Sequence, residues 1–247
     1  MLTKRIIPTL LLREQSLVKT VQFNKFSYVG DPVNTVKIFN ELEVDELVFL
    51  DISASINNRK PNFDLLGEIA DECFMPLSYG GGIKDLDQAK RIFDIGFEKV
   101  ILNTASINNS DLVTNLANIY GSQAVIGSVD YKNNFWGKRN VYTLSGKKKT
   151  NLDVIEWCKR LESLGAGEIL LTSIDKEGTW SGLDTECIDE VSRSVEIPVI
   201  AHGGAGEINH INEIRDKTAA SAIGLGSMVV FQKKDMGVLI NLPKHIA

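Results

Sequence analysis

The residues best placed to do chemistry come in two matched sets. Gly80-Gly81-Gly82 follows the apolar run that begins at Pro76, and Gly203-Gly204 follows the run that begins at Pro198, at an offset of 122 residues. Each set is then joined by a small polar pair at the end of the next apolar run, Asn103-Thr104 in the first and Gly226-Ser227 in the second. Glycine lets backbone amides approach an anion closely, and amide and hydroxyl donors at a short helix N-terminus form a cup for an oxyanion. Two such cups at equivalent places predict a small ligand carrying two phosphates.

A carboxylate stands near the cups. Asp130 closes the apolar run AVIGSVD and is a candidate general acid or base; capping a helix or pairing with a cation is the structural alternative. The equivalent run in the first half, RIIPTLL, ends in Leu11, so the carboxylate that symmetry would supply is missing. His202 lies between a strand and its glycine pair and could meet a substrate or simply bond to backbone. His210 and His245 read as ordinary helix and tail residues. A separate set, Arg5, Glu46, Lys99 and Glu168, directly precedes four apolar runs, with Glu46 and Glu168 again 122 apart. Two cations and two anions there make either a salt-bridged plug or a gate. No metal-ligand spacing and no Ser/His/Asp arrangement occurs, so neither a metal nor a cofactor is expected.

Positioning these groups requires a repeated frame. Apolar runs of 4 to 7 residues alternate with segments of helical period, the pattern of a parallel sheet covered on both faces. Strands are expected at 6–11, 47–51, 77–79, 99–102, 124–129, 169–172, 199–201 and 222–225. Asp31-Pro32 and Ser110-Asp111 mark helix starts, and Gly121 marks a stop. Eight strand–helix units with twofold internal similarity predict one (βα)₈ barrel over 1–247, built of half-barrels of about 1–122 and 123–247. An open sheet would need edge strands and a switch point, and no GxGxxG opens the first βα turn. Barrel chemistry belongs to the loops after the strand C-termini, where 12–30 and 131–150 are expected as two long loops.

Composition narrows the partners. The chain has 247 residues, of which 43% are hydrophobic and 24% charged, enough to bury one large core. A net charge of -5, with no basic run longer than Lys147-Lys148-Lys149, argues against nucleic acid or an anionic membrane as partner. Three cysteines without a CxxC pair, and no apolar run of spanning length, make the cytoplasm the expected compartment.

The same motifs resemble the cyclase subunit of imidazole glycerol phosphate synthase. The likeness runs through RIIP, GDP at Gly30, DELVFLDISAS, GGGIKD, GSQAV, SVD, SGKKKT, GAGEILLTSID and GGAG, and covers nearly the whole chain. It implies a barrel that pairs with a glutaminase, takes ammonia in at its N-terminal face, and delivers it to a bisphosphorylated ribulosyl-formimino substrate at the other end. Residue by residue, it implies that Gly82, Asn103 and Thr104 hold one phosphate and that Gly178, Gly204, Gly226 and Ser227 hold the other. Lys19 matches a lysine that closes over substrate, and His202 stands where the family usually has serine. Arg5, Glu46, Lys99 and Glu168 match the ammonia gate, with Asp45 and Glu98 on the glutaminase-facing side.

The departures also carry information. Asp130 matches one of the family's two catalytic aspartates, but the other falls on Leu11, and the lysine-aspartate-glycine turn after it is gone. Glu177 replaces an aspartate beside the second cup. Three readings follow: a paralogue of the kind found in surface-polysaccharide gene clusters, supplying ammonia to a sugar amidotransferase; a histidine-pathway cyclase working through Asp130; and a non-catalytic allosteric subunit of the glutaminase.

Overall fold

The structure, a computed structural model, describes residues 4–242; His245 lies outside them. Eight parallel strands close on themselves: β1 (Arg5–Arg13), β4 (Leu47–Asp51), β5 (Leu77–Gly80), β6 (Lys99–Leu102), β7 (Val125–Asn133), β10 (Glu168–Ser173), β11 (Val199–His202) and β12 (Ala222–Leu225). They pair in that order, β12 returns to β1 with Arg5 opposite Ala222, and β7 meets β10 with Ile126 opposite Glu168. The expected (βα)₈ barrel is therefore present. Its strands read as continuous apolar runs because both faces are covered; all six residues of β10 are buried.

Among the described residues, seven helices of ten residues and two shorter ones accompany these strands, including α1 (Pro32–Glu41), α2 (Phe63–Glu72), α3 (Leu86–Ile95) and, after short α4 (Thr104–Asn108), α5 (Asp111–Tyr120). Farther on come α6 (Val154–Ser163), α7 (Thr185–Ser194), α8 (Ile208–Lys217) and short α9 (Ser227–Val230). The Asp31 carboxylate caps α1 by accepting from the Asn34 amide at 2.8 Å, with Pro32 just inside, as the sequence signals. Helix α5 starts and stops where expected, but Ser110 adopts helical angles and makes no side-chain cap bond.

The two long loops are not irregular. Residues 12–30 continue β1 and turn back as β2 (Ser16–Thr20) and β3 (Phe26–Gly30), and residues 131–150 extend β7 and return as β8 (Arg139–Thr143) and β9 (Lys148–Asp153). Cross-strand pairing, invisible to one-dimensional periodicity, satisfies backbone groups that a loop would leave to water. Both excursions rise from the same end of the barrel on opposite sides, since β1 and β7 lie four strands apart in the eight-strand circle.

Strand alternation sorts the interior into storeys. On the inner face of β1 stand Arg5, Ile7, Thr9 and Leu11; of β7, Ile126, Ser128 and Asp130; of β10, Glu168, Leu170 and Thr172. The middle storey is a separate aliphatic cluster of Ile7, Val48, Ile101, Ile126, Leu170, Ile200 and Ala222, all essentially inaccessible. The larger core, including Phe39, Phe49, Ile69, Ile92, Leu116 and Leu161, fills the space between strands and helices.

Candidate functional site

A cavity of about 400 Å³ opens at the C-terminal end of the barrel. Its floor is the aliphatic storey, reached through Leu50 and Ile101, and its walls include Leu11 from β1 and Asp130 from β7. Asn103, at the end of β6, directs its Nδ2 across to β7, donating to the Ser128 carbonyl at 3.1 Å, the Tyr142 carbonyl at 3.3 Å and Asp130 Oδ2 at 3.3 Å. Burial pushes the Asp130 carboxyl up to about 7, while hydrogen bonds from Thr172 and Ser128 act in the opposite direction. A carboxyl in that range can both accept and release a proton near neutral pH.

The first cup lines this cavity: Gly82, Asn103 and Thr104 all border it. Gly82 holds φ at +72°, and a Cβ there would come within 2.9 Å of the Ala54 side chain, so the close approach requires glycine. Its amide donates to Ser55 Oγ at 3.2 Å. Thr104 accepts from the Leu144 amide at 3.1 Å, which ties the hairpin of β8 and β9 to the cup.

The second cup has the same backbone. Asn103 and Gly226, the residues that precede α4 and α9, share φ/ψ of -110/-82° and -105/-83°. Its contents differ. Lys19, carried on β2, lies buried in it beside Gly178, Gly204, Gly226 and Ser227, and only about 10 Å³ remains open, roughly the room for one water. A Cβ on Gly226 would approach Lys19 Cε to 2.9 Å. The Lys19 ammonium pairs with the Glu177 carboxylate, whose second oxygen accepts from Thr20 Oγ1 at 2.9 Å. Burial pulls Lys19 down to about 7. His202 is also buried here, with Nδ1 3.2 Å from Thr172 Oγ1. Burial, and secondarily the Lys19 charge, lowers it to about 3, so its ring is neutral at physiological pH and serves as a hydrogen-bonding group.

At the opposite end, the four charged residues form a closed ring. Arg5 bonds Glu46 at 3.0 Å and Glu168 at 2.5 Å, and Lys99 bonds Glu46 at 3.0 Å and Glu168 at 3.0 Å. Ser78 Oγ donates to Glu46 at 2.9 Å. Each cation is shared by two anions, which is the arrangement that buried charges require. Asp45 and Glu98 lie exposed on this face, just before β4 and β6.

The site residues expected from the sequence therefore fall at the open cavity, the filled cup, or the ring, with Asp45 and Glu98 exposed on the face outside the ring. Sequence reasoning missed Thr172, which bonds both Asp130 and His202, and Ser128 and Ser78, which support Asp130 and Glu46. A signal was present: each is a hydroxyl at an inward position of a strand that is otherwise apolar. His210 lies on α8 and accepts from the Gly206 amide at 3.1 Å, away from the cavity. Among the described residues, no group of side chains could hold a metal ion, and no helix is long and apolar enough to cross a membrane.

Comparison with known proteins agrees with this geometry. The family model described as histidine biosynthesis protein matches residues 5–235. A Pseudomonas aeruginosa protein named "Putative imidazole glycerol phosphate synthase subunit hisF2" is 46% identical over 98% of this chain and 97% of its own length. The imidazole glycerol phosphate synthase subunit HisF of a Hydrogenobaculum species is 43% identical over 94% of this chain and 92% of its own. A HisF subunit of Lactococcus lactis is 44% identical over 92% and 88%. A barrel with this ring, these cups and these relatives over almost its full length belongs to the histidine biosynthesis protein family, among the HisF-like cyclase subunits of imidazole glycerol phosphate synthase.

Proposed function

We propose that this chain is the ammonia-receiving subunit of a glutamine amidotransferase complex, and that its ammonia goes to an acceptor other than the cyclisation substrate, through a sugar-amidating enzyme of surface-polysaccharide biosynthesis. A glutaminase docks on the face bearing Asp45 and Glu98, and Arg5, Glu46, Lys99 and Glu168 gate the barrel. The upper cavity holds a small phosphorylated ligand, with Gly82, Asn103 and Thr104 at one end and Lys19, Gly178, Gly204, Gly226, Ser227 and His202 at the other. Asp130 serves as the acid/base group.

The observation that carries this reading is Leu11. It stands on the cavity wall of β1, diametrically across the barrel from Asp130 on β7, while the ring below is complete. Paired proton transfer wants two groups whose environments hold their protons differently, and an alkyl side chain can do neither job. Losing one such group commonly lowers the rate by about 10²–10⁴-fold. The names of the relatives favour a second reading, a cyclase of histidine biosynthesis that works through Asp130 alone.

Purified chain supplied with ammonium and the ribulosyl-formimino substrate separates the two. No turnover, with activity appearing in Leu11→Asp, is the result expected from the first reading. Turnover that survives Leu11→Ala and is lost in Asp130→Asn would replace it with the second.

A further inference from the structure

The acids that border the upper cavity are already engaged, and two of its cations are not. Asp51 Oδ1 accepts from the Ser53 amide and hydroxyl at 2.8 Å each and from the Ala54 amide at 2.9 Å. Asp130 accepts from Asn103 at 3.3 Å, and Glu177 accepts from Thr20 Oγ1 at 2.9 Å and from the Phe23 amide at 3.4 Å. Arg13 and Lys147 border the same cavity, and among the described residues neither forms an ion pair.

Arg13 takes the next inward position of β1 after Leu11, so it stands on the cavity wall above that leucine. Phe26, from β3, lines the same wall, and the guanidinium carbon of Arg13 lies 3.7 Å from the centre of its ring. Stacking on the ring takes up a face of the guanidinium and leaves its N–H edges for another partner. Such an edge is a planar fork that matches the two oxygens of a carboxylate, whereas the amides of a glycine cup surround a tetrahedral oxyanion. Lys147, in the turn between β8 and β9, adds a second positive charge from the other hairpin at the mouth.

We infer that Arg13, backed by Phe26, is a carboxylate-binding residue, and that the ligand of this cavity belongs to the class of sugar-acid phosphates, with its phosphate in a glycine cup and its carboxylate on the guanidinium. The inference rests on the reading of the upper cavity as a site for a small phosphorylated ligand and adds the chemistry of that ligand's far end.

Titration calorimetry with 6-phosphogluconate and sorbitol 6-phosphate tests it, because these probes differ only in a carboxylate against a hydroxymethyl group. The wild-type chain should bind 6-phosphogluconate at least about tenfold more tightly, and Arg13→Gln should bring that ratio close to one. Phe26→Leu, which keeps the guanidinium and removes its support, should lower the ratio by a smaller factor. Thermal melting checks that the variants are folded, and Arg13→Lys, which keeps the charge and loses the fork, serves if the glutamine variant is not. A wild-type ratio of one or less, or a ratio that no Arg13 variant changes, overturns the inference while leaving a phosphate site in place. If neither probe binds, the phosphate reading of the cavity falls, and the inference with it.

Discussion

The two ends of the barrel treat charge in opposite ways. At the N-terminal end, Arg5, Glu46, Lys99 and Glu168 saturate one another, and none needs an outside partner. At the C-terminal end, Asp130 has hydrogen bonds but no ion pair among the described residues, His202 is held neutral, and Lys19 pairs with Glu177. The lower end is thus built so that removing any member exposes the others. The upper end is built of groups whose protonation depends on their surroundings, which is what chemistry on a bound ligand requires.

Lys99→Ala should give the largest effect. It leaves Glu46 and Glu168 sharing Arg5 alone, and breaking a buried network of this kind costs about 3–5 kcal/mol, read as a lower Tm or urea midpoint. In a reconstituted complex with a glutaminase, the same variant should also alter transfer of labelled glutamine nitrogen; unchanged transfer with a normally folded barrel would reduce the ring to a structural plug.

The upper end should instead show itself as a pH slope. The Asp130 carboxyl is raised from 3.8 to about 7 in the folded chain, so between those values the folded state holds more protons than the unfolded one. Stability from this residue should therefore fall as pH rises from about 4 to about 7 and level off above, by at most about 2–4 kcal/mol. His202, lowered from 6.5 to about 3, acts in the other direction and adds stability as pH rises through that window. The Asp130 term is isolated by comparing urea unfolding of wild type and Asp130→Asn across this range. Parallel profiles would show that the carboxyl titrates normally and that the contrast between the ends is overstated.

The smallest effect is expected from Thr172→Val. It removes a hydrogen bond that stabilises ionised Asp130 and a partner of His202, costing about 1 kcal/mol and moving the Asp130 carboxyl farther up, observable by carbon-detected NMR titration. A downward movement would mean that Thr172 does not support the charged form.

Much of this contrast was legible in the chain. The barrel strands show as apolar runs because a doubly covered strand has no polar face, and Glu46, Lys99 and Glu168 stand out because each interrupts the chain directly before such a run. The cups were legible through duplication. The content of the second cup was not, because Lys19 reaches Glu177 only after β2 and β3 fold back over the barrel mouth, and no periodicity encodes that distant pairing. Nor was the bridge from Asn103 to Asp130, which depends on adjacent strands ending at matching heights. The symmetry that revealed the two cups also suggested that they would be used alike, and it is the non-repeated hairpin contacts that distinguish them.

The aliphatic storey between the two ends has a consequence of its own. Seven side chains of β1, β4, β6, β7, β10, β11 and β12 form a thin layer of oil stretched across a protein tube, with wet, polar groups on either side. An ion entering that layer would shed its hydration without replacement, at a cost that no single contact offsets, whereas an uncharged molecule of similar size would not. In this respect the layer resembles a very small membrane: it would oppose a charged molecule far more than an uncharged one of the same size.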